Sequence, residues 1–397
     1  MTTRATDLSY DPYDQEIFAD PYPVFRRLRE EAPLYYNERY DFFALSRFDD
    51  CERAFTDRET FISGRGSVLE AIQNDIPVPS GFFISEDPPL HTVHRGVLSR
   101  VFTPKQMSAL EPAIRRFCAE ALDPLIGEHS IDFVEDLGKQ IPMRAISMLL
   151  GIPESDQESI RDLADAHIRT EPGTPRDYTV QTVTGEEFAE YINWRMENPS
   201  DDLMTELINV EFEDETGTVR RLTRAEILVY TNLLSAAGND TTNRLIGWIG
   251  KLLSDHPEQR RALVAAPEGI PNAVEEVLRY EPPAQQIARV ASRDVELHGQ
   301  VVPEGSVVVM VIGAANRDER RFANGERFDI DRRIGHHLSL SYGAHFCLGA
   351  SLARLEGRVV LEEVLQRFPD WDVDMTQARL AWTSVVRGWE TLPATIG

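Results

Sequence analysis

The run LTRAEILVYTNLLSAAGNDTTNRLIGWIGKLLSDHP, residues 222–257, constrains more than any other stretch what this chain can fold into. Thr223 with Glu226 three positions on is a capping-box start, and His256–Pro257 is a stop. The spacing predicts one helix over 223–255, roughly 48 Å long at about 1.5 Å per residue. Apolar residues fall on nearly every side of it, so it has to run through a core rather than over one. Its centre contradicts that setting. Ala237-Gly238-Asn239-Asp240-Thr241-Thr242 puts a glycine, worth about 1 kcal/mol less than alanine in a helix, beside a carboxylate that is costly to bury. Two readings are open here: a local opening or bulge serving a functional site, or a packing glycine beside a solvated Asp–Thr pair.

Helical periodicity dominates the remainder. Strand-like runs are confined to PLYYN and FFALS near 33–46, to 289–312, and to short pieces near the C-terminus. The acidic stretch 211–218 reads as an exposed turn. The expected fold is mainly α with a minor antiparallel β portion, a single domain over 1–397 with a long central helix. A hydrophobic fraction of 42% is ample for its core. A formal net charge of −25 disfavours nucleic acid and anionic membranes as partners. MTTRATDLSYDPYDQ at the N-terminus has neither a basic leader nor an apolar run, so no signal peptide or membrane anchor is expected. Cys51, Cys118 and Cys347 are too few and too scattered for a disulfide framework, which suggests a reducing cytoplasm.

One of those cysteines is singular. SLSYGAHFCLGASLARLEGR, residues 339–358, sets Cys347 between Gly343 and Gly349 with His345 two positions before it, and a helical pattern follows. A cysteine at a helix N-terminus tends towards thiolate, the form that attacks or ligates metal. The competing reading is a small buried apolar residue. The glycines favour the first, since they admit close backbone approach to the sulfur.

Three further pieces precede Cys347: DPPLHTVHR at 87–95, AVEEVLRYEPP at 273–283, and AANRDERRFANGERFDIDR at 314–332. In this order the chain closely resembles a cytochrome P450 of the soluble bacterial type over essentially its whole length. The resemblance implies haem b (iron protoporphyrin IX) as cofactor, with Cys347 as thiolate ligand of the iron and Gly349 tuning the sulfur by its amide. It implies His91, Arg95, Arg289 and His345 as partners of the haem propionates, because carboxylates in a haem pocket must be paired. Glu276 and Arg279, joined by Arg327 of GERF, resemble the family's buried structural ion-pair network. Asp240 and Thr241 resemble its acid–alcohol pair, which supplies protons to dioxygen; an opened helix at Gly238 would make room for it. One departure stands out: Leu340 and Ser341 occupy the seventh and sixth positions before the cysteine, where the family usually carries Phe and Gly.

The implied activity is that of a haem-thiolate monooxygenase, inserting one atom of O₂ into an apolar small molecule. Electrons would come from NAD(P)H through a separate ferredoxin reductase and a ferredoxin. A peroxide-driven peroxygenase is the rival within catalysis, and Asp240–Thr241 argues against it; a haem sensor or carrier is the rival outside it. Expected substrate contacts are Phe82, Phe83, Ile84, Leu233, Ala236, Ala237, Ile287, Val385 and Val386, suiting a terpenoid, steroid, fatty-acid or aromatic guest. Gln285 and Gln286 offer either a polar contact to that guest or bonds to backbone.

Overall fold

The structure, a computed structural model, describes residues 8–176, 184–384 and 386–397. The central helix forms over Arg224–Asp255. Thr223 Oγ1 accepts from the Glu226 amide at 3.2 Å while Glu226 Oε2 accepts from the Thr223 amide at 2.8 Å, so the capping box closes in both directions. Its buried residues lie all round it, and the largest apolar cluster of the molecule wraps it. Helices Ile141–Leu150, Ile270–Tyr280 and Ala350–Arg367 pack directly against it, as does a π-helical turn at Phe133–Gly138.

The expected opening at 237–242 does not occur: these residues stay helical. A Cβ on Gly238 would lie 3.2 Å from Cγ1 of Ile146, so the glycine serves close approach of the Ile141–Leu150 helix. Thr241 Oγ1 donates back to the Ala237 carbonyl at 2.9 Å, which satisfies the hydroxyl without breaking the ladder.

Five strands form the main sheet, in the spatial order Leu34–Asn37, Phe42–Leu45, Val307–Val311, Gln286–Ala291, Phe61–Ile62. Val307–Val311 is buried throughout and covered on both faces: Val307, Val309 and Val311 join one apolar cluster, Val308 and Met310 another. It pairs antiparallel with Gln286–Ala291, placing Val308 opposite Arg289, but parallel with Phe42–Leu45, a pairing the expectation of an antiparallel portion left out. The acidic stretch forms a hairpin, Glu211–Glu213 against Val219–Arg221, rather than a bare turn. Among the described residues no helix is long and apolar enough to cross a membrane.

Candidate functional site

Cys347 sits where the segment Leu338–Phe346 folds back on itself. Its amide donates to the Leu340 carbonyl at 2.8 Å, and the helix Ala350–Arg367 starts just beyond, with Gly349 as N-cap. Gly343 has φ +69°, and a Cβ there would meet the Phe55 carbonyl oxygen at 2.9 Å, so only glycine turns the chain at this point. Ser341 adopts φ +60°, a left-handed backbone that costs a non-glycine residue about 1–2 kcal/mol. Leu340 beside it is buried and shields the sulfur's surroundings with an aliphatic side chain. The pull of the helix N-terminus towards a thiolate meets an opposing effect here. Burial pushes its pKa up, and the Gly349 amide together with the charges of Arg95 and Arg354 only partly opposes it. A thiolate at this position therefore calls for a further cation against the sulfur.

Four basic side chains gather beside it. The rings of His91 and His345 lie 4.1 Å apart, tilted by 38°. Arg289 is buried, and Arg95 donates to the Phe346 carbonyl next to Cys347. Burial lowers the pKa of His345 to about 2, with Arg289, His91 and Arg95 adding to the effect; burial and then Arg95 lower His91 to about 4. Burial also lowers Arg289, to about 10. His91 Nε2 and His345 Nδ1 have no hydrogen-bond partner among the described residues, whereas His345 Nε2 meets Ser63 Oγ at 3.1 Å. Such crowding of buried donors suits a ligand bearing carboxylates on one edge.

A cavity of about 350 Å³ opens beside this cluster. Cys347, His345 and Arg289 line it, with Asp240 and Thr241 of the central helix. Phe82, Ile84, Leu233, Ala236, Ala237, Ile287 and Val386 line it too. Phe83 does not. It turns into the core against Tyr230, ring centroids 6.3 Å apart, because the short 3₁₀ turn Phe83–Ser85 sends successive side chains in different directions. Val385 lies outside the described residues. Gln285 donates to the Pro282 carbonyl at 2.8 Å and stays out of the cavity wall, whereas Gln286 joins that wall while accepting from the Tyr10 hydroxyl at 2.8 Å. Among the further wall residues that the sequence reading missed are Gly66–Leu69, Ile76–Pro79, Arg176, Asn232 and Ser384. The prolines Pro77 and Pro79 in an apolar stretch were the available sign of a shaped loop there.

Behind the cysteine loop, Glu276 and Arg279 are each fully buried and meet through two contacts, Nε–Oε2 at 2.6 Å and Nη2–Oε1 at 2.7 Å. Arg327 is not their third member: its side chain is exposed, and only its carbonyl takes part, accepting from Arg279 at 3.2 Å. Arg332 fills that place, Nε lying 3.2 Å from Glu276 Oε1, because the turn after Asn324 brings the later arginine back over the pair.

One buried acid nearby stands without such partners. Glu356, on the helix Ala350–Arg367, is 1% exposed, its Oε2 has no hydrogen-bond partner among the described residues, and burial raises its pKa to about 8. Its folded pKa exceeds the unfolded value of 4.5, so the stability it permits at low pH is lost as pH rises from that value to about 8. Glu356→Gln is therefore expected to be nearly neutral at pH 5 and to stabilise by roughly 4–5 kcal/mol above pH 8. Chemical denaturation of both proteins at the two pH values checks this; equal differences at both would show a solvated carboxylate.

Known proteins resemble this chain in sequence and in overall fold. A family model described as Cytochrome P450 matches residues 270–381. The chain is 35% identical to putative cytochrome P450 123 of Mycobacterium tuberculosis, over all of this chain and 99% of that protein. Among solved structures it resembles CYP109E1 from Bacillus megaterium in complex with testosterone, at TM-score 0.86 and 29% identity over 96% of this chain and 99% of that one. A mutant of P450 EryK in complex with erythromycin B gives TM-score 0.86 and 33% identity, covering 96% of each chain.

Proposed function

The chain belongs to the cytochrome P450 family of haem-b monooxygenases, and on that premise we propose that it inserts one atom of O₂ into a C–H or C=C bond of an apolar small molecule. The guest is of terpenoid, steroid, fatty-acid or aromatic type, and electrons arrive from NAD(P)H by way of a ferredoxin reductase and a ferredoxin. The observation that carries this reading is that Cys347, Asp240 and Thr241 line one predominantly apolar cavity. CYP109E1 with its testosterone supports the steroid class. The unpaired Cys51, Cys118 and Cys347 suit a cytoplasmic setting.

Haem, when bound, supplies the redox-active iron at which dioxygen is reduced. The residues present fit it. Cys347 would hold the iron through its sulfur, and the metal would supply the cation that this buried sulfur calls for. The Gly349 amide donates to that sulfur and moderates its basicity. His91, Arg95, Arg289 and His345 would pair with the propionates, which would satisfy the orphaned ring nitrogens of His91 and His345. Asp240 and Thr241 of the central helix hold protons at the cavity wall, and the apolar lining excludes competing water.

The reduced protein is expected to take up carbon monoxide with the red-shifted Soret band of a thiolate-ligated haem, and Cys347→Ser to abolish that band. A haem–histidine spectrum in the folded parent would overturn the assignment. Screening apolar compounds for shifts of the resting Soret band would identify the guest.

A further inference from the structure

Three residues after His91, the helix Leu90–Ser99 carries His94, whose side chain is entirely buried. Its Nδ1 donates to Glu86, 2.9 and 2.7 Å from the two carboxylate oxygens. Its Nε2 lies 3.6 Å from Glu226 Oε1, an ion-pair distance. Tyr230 packs edge-on against the ring at 6.1 Å and donates its hydroxyl to the His94 carbonyl. Both carboxylates have further duties. Glu86 accepts from the Gly81 amide at 2.8 Å, closing the turn that presents Phe82 and Ile84 to the cavity. Glu226 caps the central helix and also accepts from Arg220 at 2.8 and 3.0 Å and from Ser80 at 3.0 Å. Asp214 holds Arg220 from the hairpin at 3.2 Å.

We propose that His94, clasped between Glu86 and Glu226, is a positioning residue for the reaction: it pins the Phe82–Ile84 wall of the cavity to the helix bearing His91 and Arg95 and to the first turn of the central helix. The inference rests on the haem reading above. With Nδ1 bonded to Glu86 and Nε2 3.6 Å from Glu226 without a hydrogen bond, the two carboxylates favour the imidazolium form of the ring. Burial pulls its pKa down, but Glu226 and Glu86 carry it up to about 9. Glu86, Glu226 and Asp214 then face two cations, His94 and Arg220, and the cluster keeps one net negative charge. Loss of the His94 proton leaves three carboxylates against one guanidinium, and the wall turn loses the cation that anchors it to the helix.

The test is a spectral titration of the haem-loaded protein with 4-phenylimidazole, neutral across this range, from pH 7 to 10. In the parent, the Kd is expected to hold steady and then weaken at least fivefold as pH passes about 9. His94→Gln should be weakened to the same degree at pH 7 and show no break. Glu86→Gln, which still accepts from Gly81, should shift the break to lower pH, since it removes one of the charges that hold the His94 proton. A parent profile flat to pH 10, or His94→Gln binding as tightly as the parent at pH 7, overturns the proposal. If His94→Gln does not load haem, the parent and Glu86→Gln profiles still decide it. The carbon monoxide band of each sample tells failure of this inference apart from failure of the haem-thiolate reading.

Discussion

Glu276→Ala is expected to cost roughly 3–5 kcal/mol and to leave most of the protein without haem. Glu276 is fully buried and holds four donors: Arg279 through Nε and Nη2, Arg332 through Nε, and the Asp329 amide at 2.9 Å. Alanine leaves the Arg279 guanidinium inside the protein with no anion among its hydrogen-bond partners in the described residues, which are then the carbonyls of Asn316, Gly325 and Arg327. Carbonyl dipoles satisfy its hydrogens but not its charge. Against a typical stability of about 5–15 kcal/mol, such a loss is enough to unfold much of the population at growth temperature. Arg327→Ala is the matched control. Its exposed side chain bears none of this, and the change should stay within about 0.5 kcal/mol. Denaturation midpoints and the haem-to-protein ratio measure both; a haem-loaded Glu276→Ala protein of parental stability would show the pair to be dispensable.

That control exists because the resemblance pointed to Arg327 of GERF as the third member of the network. Arg327 follows the motif in sequence, yet the chain turns at Asn324, with φ +52°, and returns Arg332 to the carboxylate. Where a feature depends on neighbours in the chain, the sequence was a sound guide. The Thr223–Glu226 cap and the glycine-directed turn at Gly343 are both decided within a few residues. Features that depend on remote partners were not legible. Gly238 looked like a weak point because nothing local reveals that Ile146 presses against it. The helix N-terminus beside Cys347 is legible in the sequence, but the burial that pushes the thiol up, and with it the need for a cation against the sulfur, is a property of the packed molecule. Phe82 and Ile84 were distinguishable from Phe83 only once the turn carrying them was known. Likewise, the parallel pairing of Val307–Val311 with Phe42–Leu45 joins segments from opposite ends of the chain. His94 passed unnoticed within HTVHR because a histidine gains its significance from Glu86 and Glu226, neither of which marks itself in the sequence.

The centre of the long helix predicts a split between two neighbouring substitutions. Thr241 donates its hydroxyl hydrogen to the Ala237 carbonyl, so its oxygen is left to accept a hydrogen bond from whatever enters the cavity. Asp240 is 3% exposed, and Oδ1 accepts from Asn239 Nδ2 at 3.2 Å, which holds the carboxylate at the cavity wall. A carboxylate can take up and return a proton, whereas a hydroxyl engaged in this way can only steer one. Productive turnover consumes O₂, two electrons and two protons per molecule of guest oxidised and releases one water. If proton steering fails, the same electrons and protons leave as hydrogen peroxide. Thr241→Ala should therefore keep NAD(P)H and O₂ consumption within a few-fold of the parent while diverting most of it to peroxide. Asp240→Asn keeps the shape and the hydrogen-bond acceptor but cannot exchange a proton, so it should slow consumption itself by about 10²-fold, the lower range for loss of a general acid. Parallel assays of NAD(P)H, peroxide and product, with guest and redox partners in place, separate the two outcomes. If both variants turn over and couple like the parent, the proton path does not run through this helix, and Asn239 with ordered water becomes the next candidate.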